Sequence, residues 1–259
     1  MDLLPLDRLG VHETQPGVVT FGAVFPGIRP PARVIVRILH HAEQFLQDSL
    51  PYDYDLQHQP QGVPGLQYPD YWSVTLDMKS ISPRKRGSRW GRDGRYVYRY
   101  WIVPEQGEPV DWVSDPFGRE FGGGAMSAFT LGYRPYEWDD AETEWKTPYL
   151  RDLVIYELML SEFAGNLQGA MRQLPYLADL GVNCIEIMPV SYAARTIDWG
   201  FLPTGYFGVD ERFGTRTDMH RFIEAAHARK IAVILDSVYG HTDARFPYEY
   251  LYSRLHLSN

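Results

Sequence analysis

The pattern of apolar and polar positions changes midway along the chain. In the first half, short runs rich in β-branched and aromatic residues are separated by glycine- and proline-containing turns, and the clearest runs span 33–39, 71–78 and 95–103. In the last of these, Tyr96, Tyr98 and Tyr100 face one way and the residues between them face the other. Alternation without a helical period predicts a small antiparallel β-sandwich of the immunoglobulin-like kind.

The second half alternates apolar runs of strand length with helical patterns. The runs span 153–160, 182–190 and 231–236. The first helical pattern covers 167–180, closes at Gly181 and contains Pro175, which we expect to kink or restart the helix. The second covers 217–230, with Thr217 or Asp218 as its cap. Strands this apolar are buried on both faces, so the pattern predicts a parallel sheet, either doubly wound or the start of a (β/α)8 barrel.

The change of pattern also predicts the domain organisation. We expect a β-sandwich over residues 1–130 and a linker over 131–150, because residues 132–147 are acidic and aromatic and show no clear period. Residues 151–259 then form the first part of an α/β domain. The fold class is therefore an all-β domain followed by an α/β domain.

Charge and composition narrow the function classes. The net charge of -8 provides no basic surplus for neutralising phosphates, which argues against nucleic-acid binding. No apolar run approaches membrane-spanning length, and the N-terminus lacks a signal pattern, so the default expectation is a cytoplasmic protein with no membrane partner. Cys184 is the sole cysteine, so an intramolecular disulfide is impossible. The basic run Arg84–Arg86 is read as a solvated loop rather than as a contact for an anionic partner.

The tip of the third apolar run carries the candidate chemistry. Asp236 closes that run and His241 follows in the loop, at the carboxyl end of a parallel strand, where α/β proteins gather functional groups. Position alone leaves open that Asp236 caps a helix and that His241 is a surface residue. A third reading makes both of them metal ligands in a doubly wound protein. That reading is disfavoured because neither a glycine-rich phosphate loop nor a second cluster of ligand residues is visible.

The stretch from Leu153 to Thr242 resembles the catalytic barrel of the α-amylase family, glycoside hydrolase family thirteen. "VIYELMLSEF" resembles the first barrel strand of that family, and "LPYLADLGVNCIEIMPV" resembles its first helix and second strand. "DSVYGH" resembles the family's first signature, Asp-x-Val-x-Asn-His. The preceding "RYVYRYWIV…DPFGREF" resembles the end of a starch-binding β-sandwich. The resemblance implies an incomplete (β/α)8 TIM barrel and tilts toward glucan branching enzymes and trehalohydrolases.

The resemblance implies substrate-binding roles for three residues. Tyr206 matches the tyrosine that stacks on the sugar at the cleavage subsite, and Asp236 matches an aspartate that organises the site. His241 matches the histidine that donates a hydrogen bond to the primary hydroxyl of the sugar. The position of a family calcium ligand is held by Gly240, which has no side chain to offer, so we expect no metal there and no cofactor.

The family chemistry is retaining glycoside transfer, in which a nucleophile and an acid/base carboxylate stand about 5 Å apart. The resemblance places these groups on the fourth and fifth barrel strands, which we expect beyond Asn259. We therefore expect a fragment of a longer α-glucan-active hydrolase or transglycosylase that is inactive alone. The expected partner is starch, glycogen or a maltooligosaccharide. The alternative is a starch- or glycogen-binding module attached to a non-catalytic barrel remnant.

Overall fold

The computed structural model describes residues 6–63, 70–124, 126–193 and 199–257. The chain divides into two compact units. The first unit comprises Met1–Tyr133, Gly205–Phe207 and Ala244–Asn259, and the second comprises Arg134–Thr204 and Gly208–Asp243. None of the helices among the described residues is both long enough and apolar enough to cross a membrane.

The first unit is built from two antiparallel sheets. One sheet has the order β1-β2-β6-β5, with strands β1 (Gly10–Gln15), β2 (Val18–Ala23), β5 (Gln57–Gln59) and β6 (Tyr71–Asp77). The other has the order β4-β3-β7-β10-β9, and β8 also pairs with β7. Its strands are β3 (Arg33–His40), β4 (Tyr52–Asp55), β7 (Gly94–Val103), β8 (Val110–Val113), β9 (Glu120–Gly122) and β10 (Met126–Leu131). The three strands predicted from the sequence are thus confirmed, whereas the immunoglobulin-like topology stays a prediction.

Both sheets contribute to one apolar core. Phe21 of β2 packs edge-on against Tyr98 of β7 and Phe129 of β10, with ring centroids 5.4 and 5.5 Å apart. Tyr96, Tyr98 and Tyr100 are at most 1% exposed, which confirms that they share an inward face. The alternation follows from the pleat, which sends every second side chain of a strand to the same face.

A helix from the end of the described chain completes this core. Helix α5 (Pro247–Arg254) belongs to the first unit, and its Leu251 is fully buried in the same cluster as the sandwich residues. The hydroxyl of Tyr248 donates a hydrogen bond to the carbonyl of Val24 (2.9 Å), and that of Tyr252 donates to the carbonyl of Pro26. The sequence analysis assigned the residues of α5 to the predicted α/β domain, residues 151–259, whereas the structure groups them with the first unit. The domain boundaries of 1–130, 131–150 and 151–259 stay a prediction.

The second unit contains a three-stranded parallel sheet in the order β11-β12-β13. Its strands are β11 (Ile155–Leu158), β12 (Cys184–Ile187) and β13 (Ala232–Leu235), and its helices are α1 (Asp140–Thr143), α2 (Leu160–Phe163), α3 (Leu167–Asp179) and α4 (Arg216–His227). The predicted βαβαβ order is therefore confirmed.

The helices agree with the sequence predictions in one detail and differ in another. Gly181 follows the end of α3 in the left-handed conformation (φ 87°), as predicted, and α3 does not restart at Pro175, while the alternative of a kink there stays a prediction. The cap of α4 is Thr215 rather than Thr217 or Asp218. Thr215 and Asp218 form a reciprocal capping box, in which each side chain accepts from the backbone N–H of the other residue.

The predicted linker is fastened to α4. The hydroxyl of Tyr136 donates a hydrogen bond to Glu224 (2.6 Å), and burial and this carboxylate together raise the pKa of Tyr136 to about 12. His227 bonds to Glu142 (2.8 Å) and stacks on Trp145 at 3.9 Å between ring centroids. These contacts give His227 a structural role in joining α4 to residues 142–145.

Candidate functional site

The candidate site lies at the carboxyl ends of the three parallel strands. The register aligns Leu158 with Ile187 and Ile187 with Leu235, so the strands end level with one another. The ladder continues one residue beyond the strands, because the N–H of Met188 bonds to the carbonyl of Leu158 (3.0 Å) and the N–H of Asp236 bonds to that of Ile187 (2.9 Å). Asp236 is thus the first residue after β13, not its last residue, and its backbone is still held by the sheet.

The three residues predicted to bind substrate fall in two different units. Asp236 is half-buried and His241 is exposed, and both belong to the second unit. Tyr206 belongs to the first unit, where its half-buried ring packs against Phe246 at 5.6 Å between centroids. The joint role of the three residues stays a prediction.

Gly240 occupies an open position before His241. A Cβ atom built on Gly240 meets nothing within 4 Å, and its backbone lies outside the left-handed region. Glycine is therefore not required there by sterics. Among the described residues, no group of three or more His, Cys, Asp or Glu side chains is arranged to hold a metal ion.

A small cavity lies beside the ends of β11 and β12. It has a volume of about 100 Å³ and is lined by Ser161 after β11, Ser191 after β12, and Trp199 and Arg212 from the following long loop. Pockets that enclose whole small ligands start at roughly 300 Å³. The cavity therefore has room for only part of a ligand.

Arg212 and a buried acid organise this loop. Asp210 is fully buried and accepts hydrogen bonds from the guanidinium and from the backbone N–H of Arg212 (2.8 and 2.9 Å). The hydrogen bond to this carboxylate raises the pKa of Arg212. Arg212 also donates to the carbonyl of Ala193 (3.1 Å), so a paired charge ties together the two ends of the loop after β12.

Two exposed aromatic residues in the long loop after β12 were not predicted from the sequence. Trp199 is 50% exposed and holds a left-handed backbone (φ 56°), and its ring lies 6.0 Å from that of Phe201, which is 37% exposed. The next residue, Gly200, is also left-handed, and a Cβ there would lie 2.9 Å from the carbonyl oxygen of Pro189. The sequence "WGF" could have indicated these two residues, because it lies in a polar loop after a buried strand. Aromatic rings that stay exposed in such a loop are suited to stacking on sugars.

The fold and the site define a protein with parallel strands whose loops carry polar and aromatic side chains at the carboxyl edge. The model of the α-amylase catalytic domain matches residues 121–253, more than half of the chain. The chain therefore belongs to the α-amylase family, whose catalytic domain is a TIM barrel.

Individual relatives agree with this assignment. A malto-oligosyltrehalose trehalohydrolase from Brevibacterium helvolum is 34% identical over 198 residues, which cover 70% of this chain and 32% of that protein. The 1,4-alpha-glucan branching enzyme GlgB of Thiobacillus denitrificans is 31% identical over 184 residues, which cover 62% of this chain and 24% of that protein. The chain thus spans a third or less of the length of these curated relatives.

A solved structure supports the fold. The pullulanase SAP of Group B Streptococcus, solved in complex with maltotetraose, superposes with a TM-score of 0.70 at 20% identity, over 94% of this chain and 35% of that one. At this identity the likeness concerns the fold alone.

Proposed function

We propose that this chain is the α-glucan-binding N-terminal part of a retaining glycoside hydrolase or transglycosylase. Membership of the α-amylase family is the observation that carries the proposal. The trehalohydrolase and branching-enzyme relatives support α-1,4- and α-1,6-glucosidic bonds as the substrate class. The pullulanase complex with maltotetraose agrees with a maltooligosaccharide ligand.

Within this proposal, Asp236 and His241 hold the sugar and do not break the bond. Asp236 is suited to this role because the ladder to β12 fixes its backbone at the strand end, which lets its carboxylate orient a hydroxyl. His241 offers ring nitrogens for a primary hydroxyl, and Tyr206 offers a ring face. The nucleophile and the acid/base belong to fourth and fifth strands in this family, and the described residues supply three parallel strands. The chain alone is therefore proposed to bind without turnover.

Binding and turnover are tested separately. The purified chain is titrated with maltoheptaose by calorimetry, with cellohexaose as a β-linked control, and is incubated with amylose in reducing-end and iodine assays. We expect binding of maltoheptaose only, weakened in Asp236→Asn and in His241→Ala, and no product in either assay. Release or branching at enzyme-like rates contradicts the inactivity of the chain, and unchanged binding in both variants contradicts the assigned site.

A specific feature of the first unit favours a second function, α-glucan binding by the β-sandwich itself. The pairing of β7 with β8 shifts register between Tyr100 and Ile102, and a bulge of this kind re-aims side chains. In β8, Trp112 has a left-handed backbone (φ 65°) and is 57% exposed. The guanidinium of Arg99 lies over its ring, 2.9 Å from the centroid. Arg99 is itself ion-paired with Asp111 (3.3 Å) and supports the ring, and a strained, exposed tryptophan held in this way suits the apolar face of a glucosyl unit.

The two functions are distinguished by variants in the same titration. Trp112→Ala weakens maltoheptaose binding if the sandwich holds the sugar, and Asp236→Asn weakens it if the barrel part does. Phe45→Ala is the matched control, because Phe45 is an exposed aromatic residue of the same unit (80% exposed). Loss of binding in Phe45→Ala equal to that in Trp112→Ala would refute the assignment to the bulge.

A further inference from the structure

A strongly basic loop in the first unit has no role in the functions proposed so far. Five of its nine residues are basic, and they are Arg84, Lys85, Arg86, Arg89 and Arg92. The sequence reading treated its start, Arg84–Arg86, as a solvated loop. The structure is consistent with a solvated loop, since Arg84 and Arg86 are exposed, and adds a backbone that is held by two turns.

The loop consists of two consecutive tight turns. The first is closed by the N–H of Ser88 on the carbonyl of Lys85 (3.3 Å), and the second by the N–H of Arg92 on that of Arg89 (3.1 Å). The third position of each turn is a left-handed glycine, Gly87 (φ 82°) and Gly91 (φ 76°). A Cβ on Gly91 would lie 2.8 Å from the carbonyl oxygen of Met78, so the second turn also needs glycine for close packing.

Buried side chains stabilise the two turns. Glu43 is only 5% exposed, and its carboxylate accepts hydrogen bonds from the hydroxyl of Ser88 (3.1 Å) and from the backbone N–H of Arg89. Trp90, the second residue of the second turn, is 3% exposed and stacks on Tyr52 at 3.7 Å between ring centroids.

The second turn is also fixed by a hydroxyl. Tyr96 lies within hydrogen-bonding distance of the carbonyls of both Arg89 (3.0 Å) and Arg92 (2.8 Å). The side chains of these two arginines therefore start from a pre-organised backbone.

Among the described residues, Lys85 has an acidic partner and Arg84 packs on an aromatic ring, whereas the other three basic side chains make neither kind of contact. Lys85 pairs with Asp48 (2.9 Å), and the guanidinium of Arg84 lies 4.5 Å from the centroid of the Tyr52 ring. Arg86, Arg89 and Arg92 are exposed, and the part of the chain that the structure describes gives none of them an ion pair within 4.0 Å.

The positive charges of this loop affect the pKa of a neighbouring histidine. Burial lowers the pKa of His40, and the charges of Arg89 and Arg92 lower it further, while Glu43 opposes them. This local surplus of positive charge stands out in a chain with a net charge of -8.

We propose that the tandem-turn loop binds a single phosphate group, such as that of a phosphorylated sugar. Guanidinium groups match phosphate oxygens with paired, charge-assisted hydrogen bonds, and a fixed backbone lowers the ordering cost of binding. An extended polyanion is disfavoured because the rest of the protein is acidic. A single phosphate group is small enough to contact the arginines alone. At 0.1 M salt, acidic groups more than about 10 Å away are largely screened from it.

The test is a calorimetric titration of the full chain with inorganic phosphate, glucose 6-phosphate and glucose, at constant chloride concentration. The test variant is Arg89→Ala/Arg92→Ala. The matched control is Arg29→Ala, because Arg29 is also an exposed arginine of the first unit. These substitutions lie on the surface, and thermal unfolding checks that both variants fold.

We expect saturable binding of phosphate and glucose 6-phosphate in the wild type and in Arg29→Ala, and affinity about tenfold or more lower in the double variant, because charged hydrogen bonds are lost. Tighter binding of glucose 6-phosphate than of phosphate supports a sugar phosphate as the ligand, and equal binding supports recognition of the phosphate group alone. The proposal is overturned if the wild type shows no saturable phosphate binding, if the two variants lose affinity equally, or if glucose binds as well as glucose 6-phosphate.

Discussion

Truncating Leu251 should destabilise the β-sandwich, although this residue follows the barrel strands in sequence. Leu251 is fully buried among residues from both sheets, and α5 is tied to the same unit by tyrosine hydroxyls. If residues 244–257 belonged energetically to the parallel sheet, the substitution would loosen that sheet instead. Leu251→Ala therefore tests which unit the helix stabilises.

The expected magnitude follows from the burial. Leu251→Ala removes three carbon groups, worth about 2.4 kcal/mol at about 0.8 kcal/mol each. A residual cavity adds to this, so the free energy of unfolding should fall by about 2.5–5 kcal/mol. Such a loss corresponds to a melting temperature lower by roughly 5–20 °C for a domain of this size.

Hydrogen exchange read by mass spectrometry locates the effect. Peptides that cover β3 and β7 should exchange faster in Leu251→Ala, while peptides that cover β12 should change little. Ser253→Ala is the control, because Ser253 is exposed on the same helix. Unchanged exchange in β3 and β7, or faster exchange confined to β12, would refute the reasoning.

Three further predictions concern single groups. Burial raises the pKa of Asp115, so the folded state binds more protons than the unfolded state above about pH 4, and stability falls as pH rises through this window. Asp115→Asn should flatten that slope in urea titrations, and an unchanged slope would show that another group titrates. Arg212→Ala leaves the fully buried Asp210 unpaired and should cost about 3 kcal/mol by urea unfolding, the low end for a buried pair because Arg212 is 36% exposed. Arg172→Ala, on exposed helix surface, is its control, and equal losses would contradict the pairing. Gly240→Asn should keep stability within about 0.5 kcal/mol, because its Cβ meets nothing, and a larger loss by thermal unfolding would contradict an open position.

Much of the local structure was determined by the sequence. The period of two placed Tyr96, Tyr98 and Tyr100 on one buried face, because the pleat of a strand enforces that period in any context. The three apolar runs became parallel strands, as predicted, but the expected burial on both faces is wrong for the two outer strands. β12 is mostly buried, whereas Ile155 of β11 is 47% exposed and Leu235 of β13 is 49% exposed. The end of α3 at Gly181 followed from the left-handed conformation that glycine adopts freely.

Other features depended on tertiary contacts. Helix α5 has an ordinary amphipathic sequence, and only the apolar core of the first unit decided what Leu251 packs against. The outward Trp112 depends on a register shift between β7 and β8, which the strand pattern alone does not encode. The tertiary structure also pairs Lys85 with Asp48 and places Arg84 over Tyr52, and among the described residues it gives Arg86, Arg89 and Arg92 no ion pair.

The sequence by itself thus determined three strands of the first unit, the βαβαβ order of the second unit and the family, since periodicity and local motifs are short-range properties. The tertiary structure decided which elements share a core, which charges are paired and which aromatic rings stay exposed, because these depend on residues distant in sequence that meet only in the folded chain.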